Sequence, residues 1–225
     1  MSHTYFISDL HLQPETPSVT MAFMAFIRGK AREADALYIL GDFFEVWIGD
    51  DDDHPFNEQI KTELLRATQS GLTIYIMWGN RDFLIGQQFE QETGVIRIND
   101  PTMIECYKKK YLLMHGDSLC IDDHKHQAFR KKTRNPFYRY VFLALPLWLR
   151  RRIAYKIRKK SSARNARLPN AIMDSNPQEI DRVLSASGAD ILIHGHTHRP
   201  ETTDKKIVLG DWHSGPAVFT ISLKK

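Results

Sequence analysis

Five short apolar runs along the chain each end in a polar turn. Tyr5-Phe6-Ile7 leads into Ser8-Asp9-Leu10-His11, and Leu37-Tyr38-Ile39-Leu40 leads into Gly41-Asp42. Ile74-Tyr75-Ile76-Met77-Trp78 leads into Gly79-Asn80-Arg81-Asp82. Tyr111-Leu112-Leu113-Met114 leads into His115-Gly116-Asp117, and Ile191-Leu192-Ile193 into His194-Gly195-His196-Thr197-His198. Continuous apolar runs of this length read as strands buried on both faces. The pattern therefore predicts a layered α/β fold with its polar groups at the carboxyl ends of the strands, the edge where such folds bind ligands. Between the runs, Val19, Phe23, Phe26 and Ile27 recur at helical spacing, with Ser18 as the expected cap. Residues 57–70 predict a second helix closed by Gly71, 95–114 a β-hairpin turning near Lys108 and Lys109, and 206–223 two further strands. Residues 121–168 break the rhythm, being helical, basic and aromatic. They read as a helical cap inserted into a discontinuous body made of residues 1–120 and 169–225.

Composition adds two things. A chain of 225 residues with 42% hydrophobic and 26% charged side chains has room for one full domain plus an insertion, which excludes global disorder and a polytopic membrane protein. The net charge of +4 is ordinary, but its distribution is not. Residues 125–167 hold 15 of the 31 Lys and Arg and none of the 27 Asp and Glu, leaving 16 basic against 27 acidic residues elsewhere. So basic a segment on so acidic a body calls for a partner. Cys106 and Cys120 form no close pair, which reads as reduced thiols in a cytosolic protein. The N-terminus runs straight into a strand with no secretory pattern. The longest apolar run, residues 140–149, is half of the ~20 residues that a spanning helix needs and is broken by Pro146.

The polar strand ends collect Asp9, His11, Asp42, Asn80, His115, His196 and His198. Seven oxygen and imidazole donors are too many for one ion but suit two metals sharing a carboxylate. Such a pair polarises phosphoryl oxygens, activates water at neutral pH and holds an in-line geometry. Two divalent ions against two carboxylates leave the site near +2, which favours a phosphate ester or diester. Ligation by His, Asp and Asn without thiolate suits Mn, Fe, Zn or Co over Ca, and Mg fits four histidines less well. Each piece alone is weak: Asp-x-His is usually a turn, and Gly-Asp is ordinary loop chemistry. Their joint occurrence at five successive strand ends is what points to a site.

Asp9-x-His11, Gly41-Asp42-x-x-Glu45, Gly79-Asn80-Arg81-Asp82, His115 and Gly195-His196-x-His198 together resemble the signature of the calcineurin-like metallophosphoesterases. The resemblance implies a β-sandwich flanked by helices and a dinuclear centre. By family pattern Asp9, His11 and His198 would hold one metal and Asn80, His115 and His196 the other, with Asp42 bridging. His194 lies outside the signature and is read as structural. Many members carry His after the Asn, able to protonate a leaving oxygen; here Arg81 stands there. Arginine cannot serve as that acid, but it binds phosphate bidentately and stabilises transition-state charge. A phosphate leaving group needs no proton, so Arg81 points to a diphosphatase, with Asn80, Arg81 and His115 as the catalytic set.

The aromatic and basic segment admits three readings. A buried helix pair leaves its lack of acid unexplained, and a nucleic-acid surface leaves its dense leucines and aromatics unexplained. An interfacial helix set against anionic lipid explains both, so a membrane surface is the expected partner and nucleic acid is not. A longer resemblance agrees. Trp47-Ile48-Gly49-Asp50-Asp51, His115-Gly116-Asp117-Ser118-Leu119-Cys120, Phe142-Leu143-Ala144-Leu145-Pro146, Ala171-Ile172-Met173-Asp174 and His198-Arg199-Pro200 are similar to the pyrophosphatase family acting on UDP-2,3-diacylglucosamine in lipid A biosynthesis. That resemblance implies two Mn2+ per chain and attack at the phosphorus nearest the uridine, giving UMP and 2,3-diacylglucosamine 1-phosphate. It further implies a monomer at the cytoplasmic face of the inner membrane, with acyl chains held under the cap. Carried over by position, the substrate contacts are Asn80, Arg81, Asp123, Arg158, Ser161, Asn165 and His196. Members usually place Lys where this chain has Leu168, beside Arg167. Glu45 and the acidic run at residues 50–53 read as a solvated loop and helix cap. The alternative activity is a nucleotide or nucleic-acid phosphodiesterase of the same superfamily; a binding scaffold without catalysis ranks last, since all seven ligands are present.

Overall fold

The computed structural model describes residues 3–165 and 168–222. Ten strands form two five-stranded sheets. The first has the order β10 (Phe219–Ser222), β1 (His3–Ile7), β2 (Ala36–Ile39), β3 (Thr73–Met77), β4 (Ile96–Ile98). The second runs β5 (Thr102–Cys106), β6 (Lys109–Met114), β7 (Ile191–His194), β9 (Lys206–Val208), β8 (Glu201–Thr202). Strands β1 to β4 are parallel, as are β6, β7 and β9, so their carboxyl ends share one edge in each sheet. The expected helix-flanked sandwich is present: α1 (Pro17–Arg28), α2 (Pro55–Gln69) and α3 (Gln87–Thr93) cover one face, and α7 (Pro177–Ser187) covers the other.

Burial explains the layers. Successive residues of a strand face opposite sides, so Tyr5 and Ile7 join the core under α1 and α2 while Phe6 joins the core between the sheets. Each fully buried side chain such as Ile60 or Leu64 contributes about 1.5–3 kcal/mol. Two local expectations change. Ser18 lies inside α1, whose N-cap is Thr16, because Pro17 pre-sets the first turn and supplies the start signal itself. Residues 95–114 are not one hairpin: β4 pairs in parallel with β3 in the first sheet, and only β5 and β6 form the hairpin. Its turn is Tyr107-Lys108, both at positive φ, which matches the twist of the flanking strands.

Residues 121–168 leave the body between β6 and β7 as α4 (His124–Arg134), α5 (Pro136–Leu143) and α6 (Leu147–Asn165). Helices α4 and α5 bury none of their side chains. Polar contacts attach the excursion to the body instead. Arg130 donates to Asp117 at 3.0 Å and Asp100 at 3.1 Å, and Arg134 to the carbonyls of Trp78 and Gly79 at 3.0 Å. Arg150, 2% exposed, donates to the Ile48 carbonyl at 2.7 Å and pairs with Asp51, while Arg151 pairs with Asp52 and Asp53. The acidic run at 50–53 is thus part solvated loop and helix cap, as expected, and part anchor: Asp51 and Asp53 stay exposed while Asp52 is buried. Asp50 accepts from the Gly86 and Phe89 amides at the start of α3, and its neighbours receive the basic segment. Part of the charge asymmetry is answered within the chain.

Candidate metal centre

Three of the five polar strand ends are held by backbone geometry that their sequence resists. Asp9, His11, Asp42, His196 and His198 all have positive φ, between 49° and 69°, a region disfavoured for residues other than glycine. The strain persists because neighbours fix it. Asp9 and His11 donate their amides to the carbonyls of Gly41 and Asp42, and the His196 amide donates to Asp9 Oδ2 at 2.8 Å. Gly79 is required by close approach, since a Cβ there would overlap the backbone and carboxylate of Asp42. Asp82, fully buried, accepts from the amides of Gly79 and Phe43, each at 2.7 Å, and so ties two strand ends together.

Two ligand groups result. Donor atoms of Asp9, His11 and His198 lie within 4.8 Å of one another, as do those of Asp42, His115 and His196. Asn80 joins the second group, its Oδ1 lying 3.1 Å from His115 Nε2. In the first, the Nε2 atoms of His11 and His198 face each other at 3.2 Å, and His198 Nε2 is 3.4 Å from Asp9 Oδ1. Two imidazole nitrogens pointing at each other and at a buried carboxylate repel unless a proton or cation lies among them. Asp9 Oδ1 is buried with no properly aligned donor. The donor set therefore fits divalent cations.

Without a cation, the four histidines divide in two: His11 and His196 are pushed down, and His115 and His198 are pulled up by the carboxylates beside them. Burial pushes His11 and His196 well below the ordinary histidine value, keeping both rings neutral as ligands must be. Burial likewise works to raise the Asp9 carboxyl, yet the close approach of His198 and the charges of His115 and His11 hold it well below the usual range. Asp42 is pushed up by burial against the pull of His115 and Arg81. His115 overcomes its own burial through Asp42, Asp117 and Asp9 and is raised to about 9. Its Nδ1 lies 2.9 Å from the Leu40 carbonyl, which fixes the tautomer that turns Nε2 toward the site. His194 faces away, its Nδ1 against the Gly195 carbonyl.

Beside the centre, the Arg81 amide donates to Asp42 Oδ1 at 3.0 Å and its Nε lies 3.4 Å from Oδ2. Asn80, Arg81, Arg158 and Ser161 line one cavity of about 410 Å³, whose remaining wall is largely apolar, with Trp47, Phe83, Phe129 and Phe142 among its members. Asp123 is not part of it. That carboxylate caps α4, accepts from the His126 amide at 2.9 Å and pairs with Arg164, beside a second hollow lined by Lys125 and Lys160. The side chain of Asn165 and residue Arg167 lie outside the described residues.

Several neighbours escaped the sequence reading. Glu45 is no solvated loop residue; it pairs with Arg81 and Arg158. Asp211 Oδ2 stands 3.3 Å from His198 Nδ1, and the His213 ring lies parallel to His11 with centroids 6.1 Å apart. On the other group, the His126 ring lies 5.3 Å from that of His196. The one available signal was position, because Gly210-Asp211 repeats the strand-then-Gly-Asp pattern after β9.

The family profile of calcineurin-like phosphoesterases matches residues 2–200. A UDP-2,3-diacylglucosamine hydrolase of Coxiella burnetii (strain Dugway 5J108-111) is 51% identical over 97% of this chain and 93% of its own. Hydrolases of the same name from Enterobacter sp. (strain 638) and Escherichia coli O81 (strain ED1a) are 47% and 44% identical, each over 97% of this chain and 95% of theirs.

Proposed function

Since the chain belongs to the calcineurin-like phosphoesterase family and is a metal-dependent hydrolase of it, we propose that it hydrolyses the pyrophosphate bond of UDP-2,3-diacylglucosamine. Water attacks the phosphorus nearer the uridine, and the products are UMP and 2,3-diacylglucosamine 1-phosphate. The observation that carries this reading is the cavity of about 410 Å³, with Asn80, Arg81, Arg158 and Ser161 at its polar side and aromatic rings behind them. A diphosphate carrying two acyl chains has that polarity.

Asp9, His11 and His198 would hold one Mn2+, and Asn80, His115 and His196 the other, with Asp42 between them. Bound there, the ions would supply Lewis-acid activation of water and neutralise phosphoryl charge. Arg81 and Arg158 present N–H donors to the diphosphate from two directions, one from the body and one from α6. The departing sugar phosphate is stable as an anion, so Arg81 needs only to stabilise its charge and no side chain has to protonate it. Asp211 orients His198 from behind, and the Leu40 carbonyl does the same for His115.

Helices α4 to α6 act as a cap over the acyl chains and meet the membrane. Phe137, Tyr140, Trp148 and Tyr155 are 64–73% exposed, interleaved with Lys and Arg, as expected of a surface that enters the headgroup layer of an anionic leaflet. No helix among the described residues is long and apolar enough to cross a membrane. On this reading the protein works as a monomer at the cytoplasmic face of the inner membrane. The test is UMP release from UDP-2,3-diacylglucosamine with Mn2+, beside unacylated UDP-N-acetylglucosamine and bis(p-nitrophenyl) phosphate. Turnover of the acylated substrate far above both others is expected. Turnover of the generic ester alone would overturn the lipid reading while leaving the metal chemistry standing.

A further inference from the structure

Glu45 touches three parts of the molecule at once. Its Oε2 lies 3.4 Å from His11 Nδ1 and accepts from Arg81 Nη1. Its Oε1 accepts from Arg158 Nε at 2.9 Å and from Arg158 Nη2. The side chain is 19% exposed, so these contacts are made in a partly desolvated place where they count for more than at an open surface. A ligand of one metal group, a body arginine beside Asp42 and an arginine 113 residues further along the chain thus converge on one carboxylate.

We infer that Glu45 is a positioning residue for both guanidinium groups. A guanidinium carries five N–H donors in a fixed fork, and a carboxylate occupies only part of them. With Glu45 engaging one part of each, the remaining donors of Arg81 and Arg158 are held toward the same cavity, which both side chains line. Removing Glu45 leaves two like charges close together with nothing between them, and they separate. Glu45 therefore links the position of α6 to the phosphate-binding edge of the body. This rests on the reading that Arg81 and Arg158 hold the diphosphate.

The test is Glu45→Gln, which keeps the shape but replaces one acceptor oxygen by an NH2 that cannot accept from arginine. Its KM for UDP-2,3-diacylglucosamine is expected to rise about tenfold with a smaller fall in kcat, at unchanged manganese content and unchanged Tm. Glu45→Asp should recover part of the loss. Combined with Arg158→Ala, Glu45→Gln should cost little beyond the weaker single variant, because both remove the same arrangement. Independently of any substrate, the Arg158 Nε–H should exchange slowly with solvent by NMR in the wild-type protein and rapidly in Glu45→Gln. Multiplying effects in the double variant, lost manganese in Glu45→Gln, or unaltered Nε–H exchange would each overturn the inference. If the wild-type protein ignored UDP-2,3-diacylglucosamine, the functional reading would fall, and the exchange measurement would still decide the role of Glu45.

Discussion

The body and the helices of residues 121–168 place their apolar side chains by opposite rules. In the body, α2 turns Ile60, Leu64 and Ala67 inward, and all three are buried. In α4 and α5 nothing is buried, although Phe137, Tyr138, Tyr140, Val141, Phe142 and Leu143 follow one another almost without interruption. The body is held by apolar area removed from water. The helices over it are held by guanidinium groups that reach down to carboxylates and carbonyls, Arg130, Arg134, Arg150 and Arg158 chief among them. A region fastened by its charges keeps its hydrophobic surface available, for the cavity on one side and the exposed aromatic face on the other.

That contrast can be broken in graded steps. The largest effect is expected from Asp42→Ala, which removes the carboxylate of the group that Asp42 forms with His115 and His196. Turnover should fall by about a thousandfold or more, and metal analysis should show both sites depleted. Next, Leu64→Ala should destabilise the body by about 2–5 kcal/mol in chemical denaturation. Trp148→Ala removes a larger side chain that is 64% exposed, so its stability cost should stay within about 0.5 kcal/mol. Its binding to vesicles containing anionic lipid should weaken several-fold. An equal loss of stability in these two variants would erase the distinction between the regions. Smallest of all, Arg151→Ala breaks pairs to Asp52 and Asp53 with the arginine about half exposed, worth under about 1 kcal/mol and less at high salt. Thermal unfolding at two ionic strengths checks it.

The strand ends were legible because burial on both faces leaves a run with no polar interruption, and the following turn must then carry whatever is polar. All seven donor residues stand in the two groups for that reason. What a linear pattern lacks is the partner across a long interval. Asp51 and Asp52 look solvated until Arg150 and Arg151, some hundred residues later, are laid against them. Glu45 reads as an ordinary loop residue for the same reason. Ser18 fits a cap by residue type, but Pro17 settles the helix start so that the cap is Thr16, two positions earlier. The positive φ values of the ligands are invisible too, since nothing in Asp9 or His196 as residue types asks for that conformation.

Both ligand groups take their last member from the same four-residue turn after β7, His196 for one and His198 for the other. Their earlier members lie at positions 9 to 115, before the long excursion. During synthesis, a ribosome releasing this chain exposes most of the first sheet and the whole helical insertion before either group can be completed. Both groups of donor side chains are therefore completed together, when β7 settles between β6 and β9. A nascent or truncated chain ending before residue 196 thus has neither group complete, while its basic, aromatic helices are already made.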